Sequence, residues 1–119
     1  MKVLNIDDST INNMLIENLL DKYGHNTLSI IEGSRFEEAI EDFRPDVILI
    51  DLMIPDKNGF EILENLKDKN ITIPVVVITA LNSKDVQKKL DGLGVKEYHT
   101  KPIDDNELIE SIQKASPVC

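Results

Sequence analysis

Five residues able to carry phosphoryl or metal chemistry each follow a short segment with strand character: Asp7 and Asp8 after Val3–Ile6, Asp51 after Val47–Ile50, Thr79 after Val75–Ile78, and Lys101 after Glu97–Thr100. Singly, each has an ordinary reading, since Asp8 or Ser9 could cap a helix and Asp51 could open a turn. Brought together, three carboxylates repel one another and either raise a pKa or require a cation. All-oxygen ligation with open positions suits a hard divalent ion, and Mg²⁺ in particular takes one or two carboxylates plus phosphate oxygens. A carboxylate is already deprotonated at neutral pH, so it attacks phosphorus without a general base. What remains is positioning and charge neutralisation, with Mg²⁺ and Lys101 as positive charges and Thr79 as a hydroxyl donor.

Other chemistries lack their residues. No GxxxxGK[ST] loop, GxGxxG turn or GxSxG elbow is present. His25 and His99 lie away from the acids in sequence, and surface or strand-edge positions are expected for both. Cys119, the only cysteine, is the last residue and reads as an exposed tail thiol, which fits a reducing compartment.

The elements that must position these residues are legible from hydrophobic spacing. Strands are predicted at Val3–Ile6, Thr27–Ile31, Val47–Ile50, Val75–Ile78 and Glu97–Thr100, two of them unbroken apolar runs suited to parallel strands covered on both faces. A first helix is expected to bury Ile11, Met14, Leu15 and Leu19 and to stop at Gly24. Ser34 with Glu37 reads as a capping box ahead of Phe36, Ala39, Ile40 and Phe43, and Pro45 bars continuation. Asn58 with Glu61 opens a third helix carrying Ile62, Leu63 and Leu66. Ser83 opens a fourth with Val86, Leu90 and Leu93 inward, and Asp104 with Glu107 caps a fifth through Leu108, Ile109 and Ile112. Strict βα alternation implies an α/β fold, a doubly wound five-stranded parallel sheet with five helices; flavodoxin-like order 2-1-3-4-5 puts a crevice at the carboxyl ends of the first and third strands.

Length and charge bound the rest. At 119 residues the chain holds one domain, read as spanning residues 1–119. No apolar run approaches the ~20 residues that span a bilayer, and the start reaches Asp7 too soon for a secretory signal, so the chain reads as cytoplasmic. A net charge of −9 repels phosphate backbones and anionic lipid, which argues against direct nucleic-acid or membrane binding.

With these residues in place, the sequence resembles the receiver domain of two-component response regulators, in the manner of a chemotaxis-regulator-like single receiver. The resemblance covers essentially the whole chain and rests on Asp7-Asp8-Ser9, Asp51-Leu52-Met53-Ile54-Pro55-Asp56-Lys57-Asn58-Gly59, Thr79-Ala80 and Lys101-Pro102-Ile103, in order. It implies that Asp51 accepts a phosphoryl group from a histidine kinase or phosphotransfer protein. It implies further that Asp7, Asp8, Asp51 and the backbone carbonyl of Met53 bind Mg²⁺, that Thr79 and Tyr98 form the switch, that Lys101 contacts the phosphoryl group, and that the Lys101-Pro102 bond is cis. A downstream protein target would be met through the fourth helix, fifth strand and fifth helix, by a monomer or a phosphorylation-dependent dimer. Such a chain is not an enzyme beyond catalysing its own aspartyl phosphorylation and dephosphorylation. Alternatives are a receiver module excised from a larger DNA-binding regulator or hybrid kinase, or a phosphate-independent interaction domain. A hydrolase of the haloacid dehalogenase class would need an aspartate where Met53 stands.

Two departures stand out. Asn5 interrupts a strand that is usually apolar there and must find a partner if buried. The resemblance implies that Met53 and Leu81 flank the path a hydrolytic water takes in such domains; both are apolar and cannot orient it, so slow self-dephosphorylation is expected.

Overall fold

The computed structural model describes residues 1–54, 56, 58–80, 83–95, 97–102 and 104–115. Five strands, β1 (Lys2–Ile6), β2 (Asn26–Ile30), β3 (Val47–Ile50), β4 (Val75–Thr79) and β5 (Glu97–Thr100), pair in parallel in the order β2-β1-β3-β4-β5. Four helices connect them, α1 (Thr10–Lys22), α2 (Phe36–Phe43), α3 (Gly59–Asp68) and α4 (Lys84–Gly92), and a fifth, α5 (Asp105–Ala115), follows β5; a 3₁₀ turn at Gly33–Arg35 precedes α2.

Strand alternation divides the core into two layers. Leu4, Ile6, Ile48, Ile50 and Val77 face Phe36, Ile62, Leu66 and Leu90 of α2, α3 and α4. Val3, Val47, Leu49, Val76 and Ile78 face Leu20 of α1 and Leu108, Ile109 and Ile112 of α5. All four residues of β3 are buried because helices cover both faces, which is why that strand is continuously apolar. Burial of this kind contributes about 25 cal/mol per Å² of apolar surface.

The helix starts are set by side chains. Ser9 accepts from the Asn12 N–H, Asn58 from Phe60, Ser83 from Val86, and Asp104 from Asn106 and Glu107. The expected Ser34–Glu37 capping box does not form. The 3₁₀ turn puts Arg35 at the N-cap of α2 without a side-chain cap, the Ser34 N–H goes to Asp56, and Glu37 pairs with Lys69 at 2.6 Å.

The face of α1 also differs from expectation. Ile11, Met14 and Leu15 are 72%, 63% and 63% exposed, while Asn13 and Leu20 are buried and Ile16 and Leu19 pack against the core. At 100° per residue, Asn13, Ile16 and Leu20 lie roughly opposite Ile11, Met14 and Leu15. The helix is turned so that the apolar residues Ile16, Leu19 and Leu20 pack on the core, and Asn13, which shares that face, meets Asn5. β2 starts and ends one residue earlier than expected, leaving Ile31 half exposed.

Candidate functional site

Parallel strands deliver their carboxyl ends to one edge, and there the chain gathers its acids. The Asp51 N–H donates to the Ile6 carbonyl at 2.9 Å, which locks the end of β3 beside that of β1. The Lys101 N–H donates to the Thr79 carbonyl at 2.8 Å, locking the end of β5 to β4. Asp7, Asp51 and Thr79 are buried, Asp8 is exposed, and Lys101 is partly buried.

Oxygen atoms of Asp7, Asp8 and Asp51 all lie within 4.8 Å of one another. The Lys101 ammonium donates to Asp51 Oδ2 at 2.8 Å and to Asp7 Oδ2 at 2.9 Å. The remaining oxygens are also occupied: Asp7 Oδ1 accepts from the Ser9 N–H at 2.9 Å and Asp51 Oδ1 from the Met53 N–H at 3.0 Å. Burial opposes the Lys101 charge and is the largest single influence, yet the hydrogen bonds and charges of Asp51 and then Asp7 together outweigh it, holding the ammonium above its ordinary pKa. The cluster therefore carries an excess of negative charge that one lysine does not cancel. A small divalent cation with oxygen ligands fits this donor set.

Tyr98 is partly buried against the layer of α2, α3 and α4, beside Val77, and strand alternation puts it on the same face of the sheet as Thr79. The Lys101-Pro102 bond is cis, as expected. His25 and His99 both lie away from the acids: His25 is at the opposite end of β2, and His99 Nε2 pairs with Ser111 Oγ on α5. Leu81, Cys119 and the motif residues Pro55, Lys57 and Ile103 lie outside the described residues.

A family model described as the response regulator receiver domain matches residues 3–113. The chain belongs to this family. It is 29% identical over 117 residues to sporulation initiation phosphotransferase F of Bacillus subtilis, covering 98% of this chain and 94% of that one. It is 34% identical to the transcriptional regulatory protein CiaR of Streptococcus pneumoniae, across 95% of this receiver but only 50% of CiaR. Among solved structures, the receiver domain of Francisella response regulator 1452 superposes with a TM-score of 0.89 at 31% identity, over 96% of this chain and 94% of that one.

Three features of this receiver escape sequence reasoning. Asp56 accepts from the Gly33 and Ser34 N–H groups at 2.9 and 3.1 Å, tying the loop after Asp51 to the 3₁₀ turn; those bonds hold its carboxyl below the usual carboxylate range. Gly59 backs directly onto Asp51 and Leu52. Asn5 finds Asn13 and Ser29. Only Asn5 carried a signal, as a polar residue within an apolar strand.

Proposed function

We propose that this chain is a phosphorylation-controlled switch in which Asp51 accepts a phosphoryl group from the phosphohistidine of a histidine kinase or phosphotransfer protein. The observation that carries the reading is the Lys101 ammonium bridging the carboxylates of Asp51 and Asp7, with Asp8 beside them. An Asp51 oxygen bonds to phosphorus as the donor's P–N bond breaks, and the released imidazole takes its proton from solvent. Lys101 then has a phosphoryl oxygen to pair with in place of a carboxylate, and Thr79, one strand away, offers a hydroxyl to the same group. Asp7, Asp8, Asp51 and the Met53 carbonyl would hold Mg²⁺, which when bound neutralises charge on the transferring group. The chain turns over no other substrate; it catalyses only its own phosphorylation and dephosphorylation.

Several features support the partner reading. Ile11, Met14 and Leu15 lie on α1 immediately after the acidic turn, and Met53 is also exposed, so apolar surface borders the site where a donor protein must approach. Output passes through α4, β5 and α5, since Tyr98 lies within β5 and Lys101 directly follows it. Among the described residues no helix is long and apolar enough to cross a membrane, and the acidic charge disfavours nucleic acid, in keeping with a cytoplasmic protein acting on protein partners.

The test is intact mass after incubation with Mg²⁺ and acetyl phosphate, beside Asp51→Ala and a metal-free control. One added phosphoryl group that depends on both Mg²⁺ and Asp51 is expected. No adduct in the parent protein would favour a phosphate-independent interaction domain.

A further inference from the structure

β1 sends one polar side chain into the layer beneath α1. Asn5, 2% exposed, donates from Nδ2 to Asn13 Oδ1 at 2.8 Å and to Ser29 Oγ at 3.3 Å. Asn13, 4% exposed, donates from its own Nδ2 to the backbone carbonyl of Asp7 at 2.9 Å. The direction of this chain of bonds is fixed by its end. A carbonyl only accepts, so Asn13 must turn its NH₂ to Asp7 and its oxygen to Asn5, which must then present its own NH₂.

The consequence reaches the acidic site. Asp7 is the last buried residue before the exposed turn, and its carboxylate is oriented by the Ser9 N–H and by Lys101. Its main chain is held by the Asp7 N–H donating to the Ile30 carbonyl and by Asn13 bonding its carbonyl. Asn13 is in turn fixed by its own N–H to the Ser9 carbonyl, which closes the acidic turn into a loop stapled at both ends to α1. The Asn13 side chain thus sets where the Asp7 carboxylate stands relative to Asp51, whereas Asn5 only satisfies the Asn13 oxygen.

We infer that Asn13 is a positioning residue for the cation ligand Asp7, and that Asn5 satisfies the Asn13 oxygen that this orientation turns inward. The inference rests on reading Asp7, Asp8 and Asp51 as cation ligands. Groups that orient ligands typically change metal affinity by about 10- to 100-fold when removed, and a group acting through the backbone belongs at the lower end.

The test separates positioning from packing. Replacing both partners of a buried polar pair with apolar groups restores a packed layer without an orphaned amide, so the double variant Asn5→Val/Asn13→Leu is compared with the parent by two measurements. These are Mn²⁺ affinity, read from the electron paramagnetic resonance signal of free Mn²⁺, and the urea midpoint of unfolding. The expected result is a midpoint nearer the parent's than that of Asn13→Leu alone, with Mn²⁺ bound about tenfold more weakly. The single variant Asn5→Val, which keeps the Asn13 bond to Asp7, should lose stability while staying within about twofold of the parent in affinity. A double variant that binds Mn²⁺ like the parent would overturn the positioning role and leave the pair as packing alone. Should the leucine not be accommodated, Asn5→Val/Asn13→Ala, which adds no bulk, is read in the same two ways. A parent that binds no Mn²⁺ would overturn the metal-site reading itself, an outcome distinct from equal binding by parent and variant.

Discussion

Gly59 stands so close behind Asp51 that a β-carbon on it would lie 2.9 Å from the Asp51 carbonyl oxygen, and 2.6 Å from the Cα of Leu52. Both are backbone atoms, which cannot turn aside as a flexible side chain can. The glycine that opens α3 therefore lets the helix pack against the chain just where Asp51 leaves β3.

Gly59→Ala should consequently cost stability, although alanine is the better helix former by about 0.5 to 1 kcal/mol. Overpacking against backbone costs about 1 to 3 kcal/mol and wins that comparison. Urea unfolding should show the loss, and labelling by acetyl phosphate should slow because Asp51 and Leu52 must shift. A variant as stable and as readily labelled as the parent would show that the helix moves away freely.

Lys101→Met removes the cation shared by Asp7 and Asp51. Hydrogen bonds to charged groups are worth about 1.5 to 3 kcal/mol, and the partial exposure of Lys101 favours the lower end. The raised pKa of Lys101 means that its contribution is fully present below the ordinary value of 10.5 and is lost only as pH rises through the folded value. At neutral pH the variant should melt lower than the parent, and added Mg²⁺ should raise its melting temperature by more than it raises the parent's, since no ammonium then competes for the carboxylates.

His25 makes stability depend on pH in the opposite sense. Its pKa is lowered, by burial first and by the Met1 α-amino group second. Nδ1 faces that amine at 3.2 Å, and Nε2 is buried with no hydrogen-bond partner among the described residues. The folded state therefore favours the neutral ring, and stability falls as pH drops below the ordinary 6.5 toward the folded value, then levels off. Urea midpoints taken at about pH 7.5 and about pH 5.5 should fall more in the parent than in His25→Gln. Equal falls would assign the dependence to other groups.

Met53 is 54% exposed and offers a water only a thioether, while its N–H is committed to Asp51. The phosphorylated protein, once freed of donor, should lose its label slowly in Mg²⁺. Met53→Asn, which places a hydrogen-bonding amide at that position, should lose it faster. Rapid loss from the parent, followed by intact mass over time, would contradict the reading.

Much of this protein is written locally. The apolar run Val47–Ile50 suits a strand buried on both faces, as it is, and parallel strands joined by helices must present their carboxyl ends together. Asp7, Asp8, Asp51, Thr79 and Lys101 thus fell to one edge from spacing alone. The caps Ser9, Asn58, Ser83 and Asp104 were equally readable, because a cap and its target lie within three residues. The rotation of α1 was not readable. Its apolar spacing named Ile11, Met14, Leu15 and Leu19 as the buried face, but the helix carries apolar residues on more than one side, and the packed face is that of Ile16, Leu19 and Leu20, with Asn13 meeting Asn5 of another element. The ties from Asp56 to Gly33 and Ser34, and from Lys101 to both Asp7 and Asp51, join residues between 22 and 94 positions apart. Periodicity fixes which elements form because each residue's neighbours along the helix or strand are known in advance. Which polar groups meet across elements depends on the packed geometry, where the cost of an unpaired buried amide or carboxylate selects one arrangement from several that spacing allows.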